Sequence, residues 1–344
     1  MFHSIRRSRV ATTALAGALA VGLLAGCSAS TPDPAATEQP AQGDGPLGTV
    51  ETMFGAIEVP QPEDGELTVV ALGWSDAEMA LALGITPVAV FDWQGFGAET
   101  HGVGPWAAEL FGDAEPVLIE RGDESLNYEQ ILGLDPDLIL NTRSGNDEGE
   151  FDRLTEIAPT IYGPEGTGAY ATEWTDQLTL VGEAVGKPDE AQALIADIEG
   201  QIAEAAAAHP EFEGLTTASV TKFGDAYGAY LPGDGRFDLL GQLGFVNNPP
   251  IADLEPAGFF ANASAENVAA FDADTAVILP IGFTLEETQQ DPLLSSLAVV
   301  QEGRAVFIDP DSELAGAWGA SSVLSIPVVL DQLVPQLAEA AAQG

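Results

Sequence analysis

One cysteine, three histidines and ten Lys plus Arg stand against 54 Asp plus Glu in this 344-residue chain. With Cys27 alone, no disulfide framework can form within the chain. Three histidines and one cysteine give no cluster with transition-metal spacing, which argues against direct capture of a bare metal ion. The shortage of positive charge, a formal net charge of −44, argues against nucleic acid and anionic lipid headgroups as partners. After residue 26 no run approaches about eighteen consecutive apolar residues, so no transmembrane helix is expected there.

What is present points to a folded, exported protein. The chain is 46% hydrophobic, with five Trp and fifteen Phe, enough for a sizeable core. Residues 1–26 place Arg6, Arg7 and Arg9 ahead of an apolar stretch too short to span a bilayer, the pattern of a secretory signal. Leu24-Ala25-Gly26-Cys27 resembles a bacterial lipobox, which makes Cys27 the lipidated first residue of the exported chain. The plainer reading is an ordinary signal with an incidental cysteine. Localisation on the outer face of the cytoplasmic membrane is expected. Three of the ten basic residues and none of the 54 acids lie in residues 1–26, leaving 7 against 54, a net of −47. Residues 27–47, rich in Pro, Ala and Ser, read as a flexible tether.

An internal repeat organises the rest. "YEQILGLDPDLIL" (128–140) matches "AENVAAFDADTAVIL" (265–279), pairing Glu129 with Glu266, Ile131 with Val268, Asp135 with Asp272 and Asp137 with Asp274. In each copy a short amphipathic helix leads through Asp-x-Asp into an apolar strand. Asn127 and Ser264 stand near as helix caps. Two strand–helix–strand units imply two similar Rossmann-like α/β lobes with mainly parallel sheets. Between them Ala191, Leu194, Ile195, Ile198, Ile202 and Ala205 recur at helical spacing before Pro210. The expected division is a lobe at 48–188, a bridging helix at 189–213 and a second lobe at 214–344.

Together, "GWSDAEMALALGITPVAV", "APTIYGP", "LLGQLGF", "SAENVAAFDAD", "VQEGRAVFID" and "SSVLSIPVVLDQLVPQL" resemble the solute-binding lipoproteins of bacterial ABC importers, in the iron–siderophore branch with a helical backbone between lobes. The resemblance runs from about Gly48 to the C-terminus. It implies a monomeric, non-enzymatic protein without cofactor that captures a ferric siderophore and delivers it to a permease dimer. Glu129 and Glu266 match the positions that dock onto permease arginines in that family. Haem, through Tyr162 or Tyr227, and cobalamin are the alternative ligands, because the same fold carries them.

Ligands of open α/β sheets bind beyond the carboxyl ends of strands. Arg143 follows the strand expected at Leu138–Leu140 by three residues, and a guanidinium suits several chelate oxygens at once. The competing expectation is an ion pair with Asp147, Glu148 or Asp152. Arg236 is the counterpart in the second lobe, while Lys222 is a weaker candidate that Asp225 could neutralise. Trp74, Trp93, Trp106, Tyr162, Tyr227, Phe283 and Trp318 lie on or near strand ends and could pack on a ligand. "GWSDA" (73–77) superficially matches a nucleophile elbow, but His101 and His209 are poorly placed in sequence to serve Ser75, which reads better as a helix N-cap.

Overall fold

Asp137 Oδ2 accepts the backbone N–H of Thr68 at 2.8 Å, and Asp274 Oδ2 accepts that of Thr216 at 2.8 Å. This holds in the computed structural model, which describes residues 45–119 and 126–344. In each half the second Asp of the turn therefore ties its own strand to the start of the neighbouring one. The first Asp differs between copies. Asp135 adopts a left-handed backbone (φ 48°), whereas Asp272 Oδ1 accepts the N–H of Val299 at 2.8 Å.

The first half opens with an antiparallel hairpin, β1 (Gly48–Thr52) and β2 (Gly55–Val59). It continues with β3 (Val69–Ala71), β4 (Ala89–Phe91), β5 (Val117–Ile119), β6 (Leu138–Leu140) and β7 (Thr160–Ile161). These last five form one parallel sheet in the order β5-β4-β3-β6-β7. Strands β3 and β6 are short, wholly apolar and buried throughout, as both-faced coverage demands.

The second half holds β8 (Thr216–Phe223), β9 (Ala226–Tyr230), β10 (Val246–Asn247), β11 (Glu255–Ala257), β12 (Phe260–Ala263), β13 (Thr275–Ile281) and β14 (Ala305–Phe307). Their order is β11-β12-β9-β8-β13-β14, with β10 beside the start of β8. Pairings of β8 with β10 and β13, and of β13 with β14, are parallel. On the β9–β12–β11 side all pairings are antiparallel. Only Gly224 and Asp225 separate β8 from β9, and a two-residue connection can build nothing but a hairpin. The positive φ of Gly224 supports that turn. The second lobe is thus half parallel, less regular than the sequence suggests.

The helix between the sheets, Pro188–Ala208, has 21 residues, about 30 Å of length. Pro188 sits in its first turn, where no intrahelical N–H is needed. It buries Ala191, Ile195, Ile198 and Ile202, with Leu194 and Ala205 half-buried beside them. A 3₁₀ turn, Pro210–Phe212, follows. The C-terminal helix, Ile326–Ala341, packs against the bridging helix. One hydrophobic core joins Leu138 and Val181 of the first half to Ile195 and Ile202 of the bridge and to Leu239, Val277 and Leu333 of the second. The lobes share a core instead of meeting at a hinge.

The two repeat copies diverge at their helices. Tyr128–Leu132 is an α-helix whose N-cap, Asn127, accepts from Gln130 N at 3.1 Å. The second copy has only a 3₁₀ turn, Val268–Phe271, with Asn267 at its N-cap position and no side-chain cap. Ser264 therefore does not cap a helix. Glu129 and Glu266 are both exposed. Cys27, expected to be lipidated, and the signal expected at 1–26 lie outside the described residues, as does all but the end of the expected tether.

Candidate ligand-binding site

Beyond the end of β3 the chain turns at Gly73, whose N–H donates to Asp76 Oδ2 at 3.0 Å. A side chain at Gly73 would collide with that carboxylate. Asp76 also accepts from Thr142 N (2.9 Å), the Thr142 hydroxyl and Gln177 Nε2 (3.1 Å). It thus staples the loop after β3 to the loop after β6. Burial pushes its carboxyl up to about 6, against the opposing pull of these hydrogen bonds.

The two stapled loops present Trp74 and Arg143. The Trp74 ring is stacked between Trp93 (4.4 Å, 10°) and Tyr170 (4.3 Å, 28°). Trp93 stands on a loop gathered by Asp92, whose carboxylate accepts the N–H groups of Gly95, Phe96 and Gly97 at 2.8, 2.9 and 2.7 Å. Arg143 is buried, with its guanidinium carbon 5.7 Å from the Trp74 ring centre. Its Nε donates to Tyr170 O at 3.1 Å and its Nη1 to Ala320 O at 3.0 Å. Burial lowers its pKa to about 10, Asp234 and Asp76 oppose this, and Arg236 adds to it. The expected pairing with Asp147, Glu148 or Asp152 gives way to these contacts. Asp147 caps the following helix by accepting from Glu150 N at 2.7 Å.

In the second lobe, Asp234 Oδ1 and Oδ2 each accept one bond from the Arg236 guanidinium, both at 2.7 Å. The Arg236 guanidinium lies flat over Tyr230, 3.5 Å from its ring centre, and 5.6 Å from that of Phe259. Burial alone would depress its pKa, but the charge and hydrogen bonds of Asp234 raise it above the ordinary value. Phe259 meets Trp74 edge-on across the lobes at 6.4 Å.

A cavity of about 360 Å³ opens between these walls. Trp74 and Trp93 line it from the first lobe; Phe223, Tyr230, Phe259 and Phe260 face them from the second. Thr221, Ile281 and Arg236 complete it. Its size and aromatic lining fit a small-molecule site.

Of the residues expected from sequence, Trp74, Trp93 and Arg236 meet at this cavity, and Arg143 stands buried behind Trp74. Five other rings, and Lys222, lie outside the lining. Tyr162 and Trp318 are fully buried core residues. The Tyr227 hydroxyl donates to Asp291, which also holds Lys222 at 2.9 Å, the role foreseen for Asp225. Phe283 packs under Lys222. Trp106 Nε1 donates to Glu78 at 2.8 Å. Strand-end position does not reveal which face a ring takes, and these rings turn away from the cavity. Phe223, Tyr230, Phe259, Phe260 and Thr221 escaped the sequence reading because they sit on or beside the antiparallel strands. The alternation of Tyr227, Ala229 inward and Tyr230 outward in "AYGAY" was the available signal.

Ser75 occupies the N-cap position of the helix Asp76–Ala82 but makes no side-chain cap. Its hydroxyl donates to Ala320 O at 2.9 Å, so Ala320 O receives both Ser75 and Arg143. Nearby, Gln94 Nε2 donates to Gly316 O at 3.1 Å, and the Ser322 hydroxyl donates to Glu78. The segment 316–322 therefore clasps the first lobe beside the cavity. Glu78 is buried there, and burial pushes its carboxyl up to about 7 despite bonds from Ser322, Trp106 and Gly104.

Two α/β lobes on one stiff helix, with an aromatic cavity between strand ends, define a two-lobed solute-binding protein. A family model described as "Periplasmic binding protein" matches residues 69–312. The chain belongs to that family. It is similar to a Mycobacterium smegmatis periplasmic solute binding protein, 31% identical with TM-score 0.74, covering 87% of this chain and 100% of that one. The PiaA structure from Streptococcus pneumoniae TIGR4 in complex with ferrichrome is 26% identical with TM-score 0.73, covering 86% and 99%. A curated relative, the "Probable siderophore-binding lipoprotein YfiY" of Bacillus subtilis (strain 168), is 29% identical over 211 residues, 60% of this chain. The chain spans about 61% of that relative's length. A vitamin B12-binding protein of Salmonella typhimurium is 28% identical over 33% of each chain.

Proposed function

We propose that this protein captures a ferric siderophore in the interlobe cavity, outside the cytoplasm, and hands it to an ABC importer. The observation that carries the reading is the aromatic cavity itself, with rings from both lobes closing on one space. The relatives named for siderophores and ferrichrome point the same way. The iron's donor atoms come from the chelator. The two tyrosines that a haem reading relied on do not line the cavity, and the Tyr227 hydroxyl is committed to Asp291. Cobalamin stays as the second reading because a vitamin B12-binding relative matches part of the chain.

In this proposal Cys27 carries the lipid anchor, and a monomer presents Glu129 and Glu266 to a permease dimer. Both glutamates are exposed, and Leu132 stands exposed beside Glu129. Titration of the protein's tryptophan fluorescence with ferrichrome, haem and cyanocobalamin tests the reading. Submicromolar quenching by ferrichrome supports it; quenching by cyanocobalamin alone replaces it with the second. In whole cells, Glu129→Ala with Glu266→Ala leaves binding intact and reduces uptake.

A further inference from the structure

The charge around the cavity is already spent inside the protein. Arg236, the cation in its wall, is held by both oxygens of Asp234 at 2.7 Å, a forked pair that leaves little field for a third group. Arg143 lies behind Trp74, facing two carbonyls, with Asp234 and Asp76 acting on it. Lys222 points to the other face of β8, into the contact with Asp291. Arg236 in the wall and Arg143 behind it are thus each set against buried carboxylates, Asp234 and Asp76. The rest of the chain is strongly acidic, and its long-range field repels anions. The buried Thr221 hydroxyl in the wall has no hydrogen-bond partner among the described residues. An unpartnered hydroxyl among six rings suits a ligand that offers amide or hydroxamate oxygens without net charge.

We infer that the cavity selects an electroneutral ferric chelate of the tris-hydroxamate class and rejects anionic tris-catecholate or polycarboxylate chelates. This rests on the siderophore reading above and specifies its chemistry. Asp234 is the selecting residue: it is buried beneath Arg236 and cancels the charge that would otherwise draw an anion.

The test is a fluorescence and calorimetric titration of the full exported chain with ferrichrome (neutral), ferric enterobactin (a trianionic tris-catecholate) and cyanocobalamin, each at low and high salt. Ferrichrome is expected to bind at least about 100-fold tighter than ferric enterobactin, with an affinity nearly independent of salt. Asp234→Asn keeps an N-cap acceptor for the helix Gly235–Gln242 and removes the cancelling charge. In that variant the trianion should gain about tenfold or more, while ferrichrome changes by less than about threefold. If wild-type protein binds ferric enterobactin as tightly as ferrichrome, the charge argument is overturned and the siderophore reading stands. If neither chelate binds and cyanocobalamin does, the siderophore reading itself falls, and the inference with it. If Asp234→Asn fails to fold, the wild-type ratio alone decides.

Discussion

Arg143 and Ala320 stand 177 residues apart in the chain, and the guanidinium of the first donates to the carbonyl of the second at 3.0 Å. The same carbonyl accepts from Ser75, so one backbone oxygen gathers two loops of the opposite lobe. Arg143→Ala should therefore lower unfolding free energy by about 1.5–3 kcal/mol, because a buried carbonyl loses its charge-assisted donor. Arg143→Lys should restore only part, since an ammonium cannot fork to Tyr170 and Ala320 as a guanidinium does. Denaturant midpoints measure both. An unchanged midpoint in Arg143→Ala would remove the latch role.

Trp74→Ala should weaken ferrichrome by about 10- to 100-fold, since it removes the ring stacked between Trp93 and Tyr170 at the cavity wall. Trp318→Phe should lower the melting temperature and leave affinity within a few fold, as Trp318 is a core residue. Calorimetry reads both without relying on the altered fluorophores. Equal affinity losses in the two variants would erase the distinction between wall and core.

Stability should fall as pH rises from about 4.5 to about 7. Glu78 has an ordinary value of 4.5 and is pushed up to about 7 when buried, so the folded state holds its proton more tightly than the unfolded state. Its contribution is fully present below the unfolded value and is lost as pH rises through the folded one. Asp76, raised from 3.8 to about 6, acts in the same direction over a lower window. Glu78→Gln retains an acceptor for Trp106 and Ser322 but cannot ionise. It should flatten the decline by an amount on the order of 1–3 kcal/mol, seen by denaturation at a series of pH values. Parallel curves for wild type and Glu78→Gln would show that Glu78 does not titrate there.

Asp137→Ala and Asp274→Ala should each cost about 1–2 kcal/mol by freeing the N–H of Thr68 or Thr216. Lying in different sheets and without shared partners, the two losses should add to within about 0.5 kcal/mol in the double variant. Strong non-additivity in urea denaturation would mean that the paired turns communicate.

The repeat was legible because its second Asp has a backbone task that both lobes need, and the same task selects the same residue twice. The bridging helix was legible from apolar spacing and from Pro210, which follows its end. Trp74, Trp93 and Arg236 followed from the rule that ligands meet strand ends. Tyr230 and Phe259 did not, because a two-residue turn at Gly224 reverses β9 and builds an antiparallel wall that a parallel scheme omits. Nor did the sequence reveal the work of Asp234. An Asp before Gly-Arg reads as an N-cap, and it is one, but its carboxylate also grips Arg236.

The single core running from Leu138 through Ile195 to Leu333 has a mechanical corollary. Swinging the halves wide would tear apolar contacts along the whole rod, so the shared core opposes a wide opening of the cavity. In the proposed role, a ligand would pass the rim formed by Trp93 and Phe259 while the spine stays intact. A transporter emptying such a receptor, as proposed above, would work on its lips.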